Sequence, residues 1–299
     1  MSDDTWPSLA QLPALIWHFT ESNFATFVLP NSGFGLLAAL AAPVLTDCLH
    51  RPTAASLLLQ GLPQMILFNW ANIFVFDLAN QRLPQSQEED RINKPWRPLP
   101  RKRITQDATR RLMLIAIPTV WTISSLLGVG REGALILLLT WLYNDLQGGD
   151  ELVRDLIIAA AYGLYLSSSL RIAVGATTHQ LSDRGYQWIG LIGAVILTTM
   201  QVQDLKDQAG DRSRGRKTWP LVLGERLSRR LIAGFVLFWS VIGAWFWQLS
   251  WGPSLVPMTM GLWVGLRVLQ GRNDAWAWKW WCVWQVVLYS LPWLSGEMK

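Results

Sequence analysis

The chain has 299 residues, 51% of them hydrophobic and only 16% charged, with a formal net charge of +5. A soluble globule carries about a quarter charged residues, so that class is excluded. The basic excess does not call for nucleic acid, because the cytoplasmic loops of a membrane protein account for it.

The first residues, Met1 to Pro7, are short and acidic, and lack the basic start and apolar core of a cleaved signal peptide. Residues 8–20 read as a short amphipathic helix at the membrane surface. Beyond them, residues 23–46, 52–76, 112–130, 185–203 and 231–266 contain no Asp, Glu, Lys or Arg. Runs of about 20 such residues are long enough to cross a bilayer. The spacing predicts nine spans: 24–48, 54–80, 109–129, 132–148, 152–174, 186–206, 230–250, 254–271 and 275–296. Trp251-Gly252-Pro253-Ser254 divides the long apolar run near 231–266. The expected fold is therefore an all-α polytopic membrane protein, a single domain over 1–299 with cap loops at 81–108 and 207–229. Cys48 and Cys282 have no metal-ligand spacing and no disulfide framework, and the three His residues are scattered.

Parity orders these spans. Asp77 ends the second span and Asp204 ends the sixth, so the two emerge on one side. The loop after span two carries Arg82, Arg91, Lys94, Arg97 and further basic residues, and the loop after span six carries Arg212, Arg214, Arg216 and Lys217. The positive-inside rule places that side, and the N-terminus, in the cytosol.

Two acidic clusters stand at these helix ends. In the second, Asp204, Asp207 and Asp211 follow i, i+3, i+7 spacing and share a helix face. Three such carboxylates repel unless cations sit between them. Gly210 is expected to permit a turn before Asp211. In the first, Asn69, Asn72, Asp77 and Asn80 fall within a sector of roughly 140° on one helix. For Asn69 and Asn72, glue between helices is an equal reading. An intramembrane carboxylate is by default a functional candidate. Magnesium ions bridging the clusters would hold an isoprenyl diphosphate and neutralise its departing charge. The metal candidates are Asp77, Asn80, Asp90, Asp204, Asp207 and Asp211, with Asp77, Asp204 and Asp207 central to catalysis. Candidate substrate contacts are Asn72, Lys94, Arg97, Tyr143, Arg216 and Lys217. Prolines hold Lys94 and Arg97 near the acidic mouth. Trp70, Phe74, Trp121, Trp141, Tyr143, Tyr162 and Tyr165 are aromatic candidates for the cavity wall.

The run Asp90-Arg91-Ile92-Asn93-Lys94-Pro95-Trp96-Arg97-Pro98-Leu99-Pro100 resembles a DRxNxPxRPL motif, and Asp204, Asp207, Gly210 and Asp211 match a DxxDxxGD motif. Together they resemble the UbiA superfamily of intramembrane prenyltransferases and terpene cyclases. That resemblance implies nine transmembrane helices around a central cavity, with a cytosolic cap over magnesium and diphosphate. The first motif departs from the usual pattern. Phe76 replaces an Asn, Asn80 replaces an Asp, and about five extra residues near Leu83–Gln87 precede Asp90. In this the chain is similar to the fungal branch that includes the membrane-bound sesquiterpene cyclase of the fumagillin pathway.

The resemblance implies Mg²⁺-dependent ionisation of a linear isoprenyl diphosphate, with farnesyl diphosphate the expected substrate, followed by cyclisation. The alternative is transfer of the prenyl cation to an aromatic or lipophilic acceptor, with Asp145, Asp150 or Glu151 as a base. A transporter ranks below both, since its charged sites belong near the midplane. A CDP-alcohol phosphotransferase lacks its signature here. The expected partners are the diphosphate substrate and membrane lipids, with no required protein partner. The expected location is an integral, multi-pass position, in the endoplasmic reticulum membrane for a eukaryotic source.

Overall fold

The computed structural model describes residues 8–295, so the acidic start at Met1 to Pro7 and the last residue of the ninth expected span lie outside the described residues. Among the described residues the chain is helical, without strands, apart from an isolated bridge between Thr46 and Leu181.

Helix α1 (Leu12–Asn23) passes through a π turn at Phe24–Val28 into α2 (Leu29–Ala39), followed by the short α3 (Ala42–Leu45). The segment expected to lie as a separate surface helix is thus continuous with the first span. Its Leu15 and Phe19 are buried, in one apolar cluster with Val75, Leu78 and Ala79. Thr53 caps α4 (Ala54–Ser56), which leads through a second π turn into α5 (Leu62–Arg82). Pro84 opens α6 (Pro84–Asn93), where its missing N–H costs nothing. Thr105 caps α7 (Gln106–Leu126), which is followed by α8 (Gly130–Asn144). Gly175, at φ +97°, ends α9 (Arg154–Val174). Ser182 caps α10 (Asp183–Thr199), and a tight turn at Met200–Gln203 carries it into α11 (Asp204–Arg214). Beyond it come α12 (Trp219–Val222), α13 (Glu225–Phe246), α14 (Trp251–Gln270), α15 (Asp274–Tyr289) and α16 (Leu291–Leu294).

Contacts join α2, α9, α10, α13, α14 and α15 into a ring that closes from α15 back to α2. A second ring of α5, α7 and α8 closes on α9, with α1 against α5. The larger core holds Trp188, Trp247, Trp281 and Trp284, all fully buried. Polar pairs bind helices where no water competes. Asn69 Nδ2 donates to Ser32 Oγ at 2.9 Å and to Ser169 Oγ at 3.1 Å, and Trp281 Nε1 donates to Thr199 Oγ1 at 2.9 Å. The glue reading of Asn69 is the one its contacts support.

Among the described residues, four helical stretches are long and apolar enough to cross a membrane: Ala54–Arg82, Arg154–Val174, Asp183–Arg214 and Glu225–Phe246. Others fall short for physical reasons. Helix α8 has 15 residues and rises only about 22 Å, and α15 has 16. Large apolar side chains are nonetheless exposed over the surface, Trp245, Trp251, Leu126 and Leu156 among them.

Candidate active site

A cavity enclosing about 980 Å³, its open mouth included, lies among α1, α5, α8, α9 and α11. Its lining changes character with depth. Down α9 it runs from Arg154 through Ile157 and Ala161 to Tyr162 and Tyr165. Eleven residues at about 1.5 Å each make that path roughly 16 Å long. Down α5 it runs from Asn80 through Phe76 to Ile73, and down α8 from Tyr143 through Thr140 to Ile136. One end is therefore charged and the other apolar and aromatic.

The two motifs converge at the charged end. Asp204, Asp207 and Asp211 all line the cavity, as do Asn80, Lys94, Arg97, Tyr143 and Arg216. Gly210 makes no turn, because it lies inside α11. Its role is close approach. Asn93 Nδ2 donates to the Asp207 carbonyl at 3.0 Å, and the Gly210 N–H donates to Asn93 Oδ1 at 3.2 Å. This clasp ties the end of α6, and with it Lys94 and Arg97, to the acidic face of α11.

Sequence reasoning missed the principal partner of Asp204. Arg154, 5% exposed, grips that carboxylate with two hydrogen bonds, Nη1 to Oδ2 at 2.7 Å and Nη2 to Oδ1 at 2.8 Å. It also donates from Nε to Tyr143 Oη at 3.2 Å. The signal was available, since parity puts the start of the fifth span at the same mouth. Glu89, Asn23 and Arg214 were missed as well. The π turn after α1 brings Asn23 and Phe27 to the cavity, and π turns concentrate at functional sites. Asn23 Nδ2 donates to Asp77 Oδ1 at 2.7 Å.

Four expected residues do not line the cavity. Asp77 is fully buried behind two that do, Asn23 and Arg97, with Arg97 Nη2 3.9 Å away. Both oxygens of Asp90 accept from Arg97 Nη1, at 2.8 and 3.0 Å. Asn72 instead faces α7, donating to Phe68 O at 2.9 Å and Ser124 Oγ at 3.4 Å. Lys217 pairs with Glu151 at 2.6 Å, where both side chains are more than half exposed. Of the aromatic candidates, Tyr143, Tyr162 and Tyr165 line the cavity. Trp121 and Trp141 are half exposed, while Trp70 donates to Thr20 Oγ1 and Phe74 packs in the smaller core. Phe27 meets Tyr162 and Tyr165 edge-on, with centroids 4.9 and 4.7 Å apart.

The cap carries the titration shifts. Burial and the neighbouring Arg97 pull the Lys94 ammonium below its usual value, and Asp207 only partly offsets them. Burial opposes the charge on Arg97, but Asp90 and Asp77 outweigh it and hold the guanidinium above its usual value. Burial would raise the Glu89 carboxyl, yet Arg216 and Arg214 outweigh it and hold that group below the usual range.

A cation could join this set. The lining offers oxygen donors and neither His nor Cys, which suits a hard divalent ion. The buried Asp211 Oδ2 and Asp77 Oδ2 have no hydrogen-bond partner. Among the described residues no three His, Cys, Asp or Glu side chains converge on one point. Magnesium ordinarily takes only one or two carboxylates and completes its shell with water and phosphate oxygens, so the residues present fit it.

The model of the UbiA prenyltransferase family matches residues 28–291. Somaliensene A/B synthase of Streptomyces somaliensis is 33% identical over 224 residues, 74% of this chain and 69% of its own length. The fumagillin beta-trans-bergamotene synthase of Aspergillus fumigatus is 25% identical over 309 residues, 97% of this chain and 98% of its own. A solved structure of digeranylgeranylglyceryl phosphate synthase in membranes aligns with a TM-score of 0.63 at 14% identity, covering 97% of this chain and all of that one, a likeness of fold alone.

Proposed function

The chain belongs to the UbiA prenyltransferase family, and from that premise we propose that this integral membrane enzyme is a class I terpene cyclase. It ionises a linear isoprenyl diphosphate, farnesyl diphosphate in our reading, and closes the carbon chain on itself. The observation that carries this reading is that, among the described residues, each carboxylate along the wall faces a cationic side chain. Asp204 pairs with Arg154, Asp207 with Lys206, Asp211 with Arg216 through Oδ1, and Glu89 with Arg214 and Arg216. The three bases considered for an acceptor hydroxyl are also engaged, and none lines the cavity. Asp145 is paired with Arg82, Asp150 with Arg214 and Arg216, and Glu151 with Lys217.

The diphosphate would sit at the charged mouth, against Lys94, Arg97, Arg154 and Arg216. When bound, Mg²⁺ would neutralise charge on the leaving diphosphate, held by one or two of the carboxylates Asp204, Asp207 and Asp211, with Asn80 on the same lining. The cationic side chains stabilise the same developing charge as the carbon–oxygen bond breaks. The deep end excludes water, which would otherwise quench the allylic cation. Phe27, Tyr162 and Tyr165 present π faces to that cation. A distal double bond attacks it, forming a carbon–carbon bond and moving the positive charge along the chain. Loss of a proton to an oxygen of the released diphosphate gives a cyclic olefin and balances the reaction. Asp77 and Asp90 act through Arg97 in this arrangement, holding its guanidinium at the mouth.

We further read one UbiA-type domain with nine spans, caps over 81–108 and 207–229, and the mouth in the cytosol, facing out of the endoplasmic reticulum in a eukaryote. The basic loops and the family match over 28–291 support this arrangement. Prenyl transfer to an added acceptor is the second reading, favoured by the match to the UbiA prenyltransferase family.

The test is purified protein in detergent with C10, C15 and C20 diphosphates and Mg²⁺, without acceptor. A cyclic hydrocarbon is the expected product. Unreacted substrate or acyclic alcohols alone would refute cyclisation.

A further inference from the structure

The residues just before Asp90 form the first turn of α6, and that helix delivers Glu89 to the mouth. Glu89 is 7% exposed and faces Arg214, the last residue of α11, and Arg216 just beyond it. Arg214 Nη1 donates to Glu89 Oε2 at 3.0 Å and to Ser86 Oγ at 2.8 Å. Its Nε stands 2.7 Å from Asp150 Oδ1 but out of line for a hydrogen bond. Arg214 does not line the cavity, so it anchors Glu89 without meeting substrate.

Arg216 differs. It lines the cavity and is divided among three carboxylates: Glu89 Oε1 at 3.2 Å, Asp150 Oδ1 at 3.2 Å and Asp211 Oδ1 at 3.4 Å. Strong charge-assisted bonds close to about 2.7–2.9 Å, so none of the three holds Arg216 tightly. A diphosphate in the mouth is a better acceptor and would draw the guanidinium away.

We propose that Glu89, fixed by Arg214, is a positioning residue that reclaims Arg216 and so speeds departure of inorganic diphosphate. The proposal rests on the diphosphate chemistry above. Glu89 competes for Arg216 and repels the product, both of which weaken product binding. Neutralising it leaves Arg216 with the product for longer. Because product release often limits turnover, kcat and KM should fall together. A merely structural brace gives a different pattern, with weaker binding and a higher KM.

The experiment is calorimetric binding of inorganic diphosphate with Mg²⁺ to detergent-purified wild type, Glu89→Gln and Asp150→Asn, paired with steady-state turnover. Removing one unit charge from this half-desolvated cluster should tighten Kd by about fivefold or more in Glu89→Gln. Asp150→Asn should shift it the same way and guards against a folding defect in the first variant. An unchanged or weaker Kd in a monodisperse variant overturns the role of Glu89. Wild type that binds no inorganic diphosphate overturns the diphosphate reading itself, and this proposal with it.

Discussion

Replacing Gly210 by Ala tests how the two halves of the site are joined. A Cβ at 210 would stand 2.2 Å from Asn93 Nδ2 and 2.5 Å from Asn93 Cγ. Comfortable separation between such atoms is roughly 3.5 Å or more, so the amide must move by more than about 1 Å. That motion breaks both bonds of the clasp, to the Asp207 carbonyl and from the Gly210 N–H. Two hydrogen bonds contribute about 2 kcal/mol together. Overpacking adds about 1–3 kcal/mol, and the better helix propensity of Ala returns about 1 kcal/mol. The expected destabilisation is about 2–4 kcal/mol, read from unfolding in detergent. Diphosphate release should fall at least about tenfold, because α6 also carries the approach to Lys94 and Arg97. Asn93→Ala removes the obstructing amide, so adding Gly210→Ala to that background should cost almost nothing further. Costs that add within about 0.5 kcal/mol across this cycle would refute the clasp as the reason for glycine.

Asp204→Asn leaves Arg154 buried and without its bidentate anion. It should abolish diphosphate release and destabilise the protein by about 3–5 kcal/mol, and a variant with wild-type stability would show the pair to be dispensable. Asp77→Ala should also abolish turnover while the protein remains extractable in detergent, whereas near-native diphosphate release would remove that carboxylate from the mechanism. Chelation with EDTA should stop diphosphate release and Mg²⁺ should restore it, and undiminished turnover in EDTA would rule out the metal. Lys94 titrates below the ordinary lysine value of about 10.4, and its charge is lost as pH rises through the lowered value. KM for the diphosphate should therefore rise on the alkaline side earlier than an unperturbed lysine would allow. Lys94→Arg should push that limb to higher pH, and an unchanged profile would free Lys94 of the role.

How far the site was legible in the sequence depends on whether a residue acts along its own helix or across to another. Asp204, Asp207 and Asp211 needed only the helical period, and all three line one wall. Lys94 and Arg97 needed only prolines to hold them near the mouth. Parity alone brought the two clusters to one opening. Helix boundaries followed the charge-free runs, since crossing lipid constrains composition strongly. By contrast, the π turn that brings Asn23 to Asp77 leaves no compositional trace. Asp90 and Asp77 looked like free ligands because a sequence does not show that one arginine, Arg97, stands between them. Asn72 failed for a similar reason. Its place on the polar sector was legible, but not that α7 offers Ser124 there.

The pairing at the mouth also explains how a membrane enzyme tolerates so much charge before substrate arrives. Glu89, Asp204, Asp207 and Asp211 line the cavity, and so do Lys94, Arg97, Arg154 and Arg216. Four anions and four cations cancel, and their mutual attraction offsets part of the cost of removing each from water. Diphosphate alone would upset that balance, and divalent cations alone would upset it in the opposite sense. Entering together, they leave the net charge close to its resting value. On the proposed function, the arginines would exchange carboxylate for phosphate oxygen and leave the carboxylates free to hold the metal. Ionisation would thus be coupled to a reshuffling of partners in a nearly neutral site, without any bare charge being exposed to lipid. Arg216, divided among three carboxylates at 3.2–3.4 Å, should move before Arg154. Arg154, held at 2.7 and 2.8 Å, should move last, keeping Asp204 in place while the others rearrange.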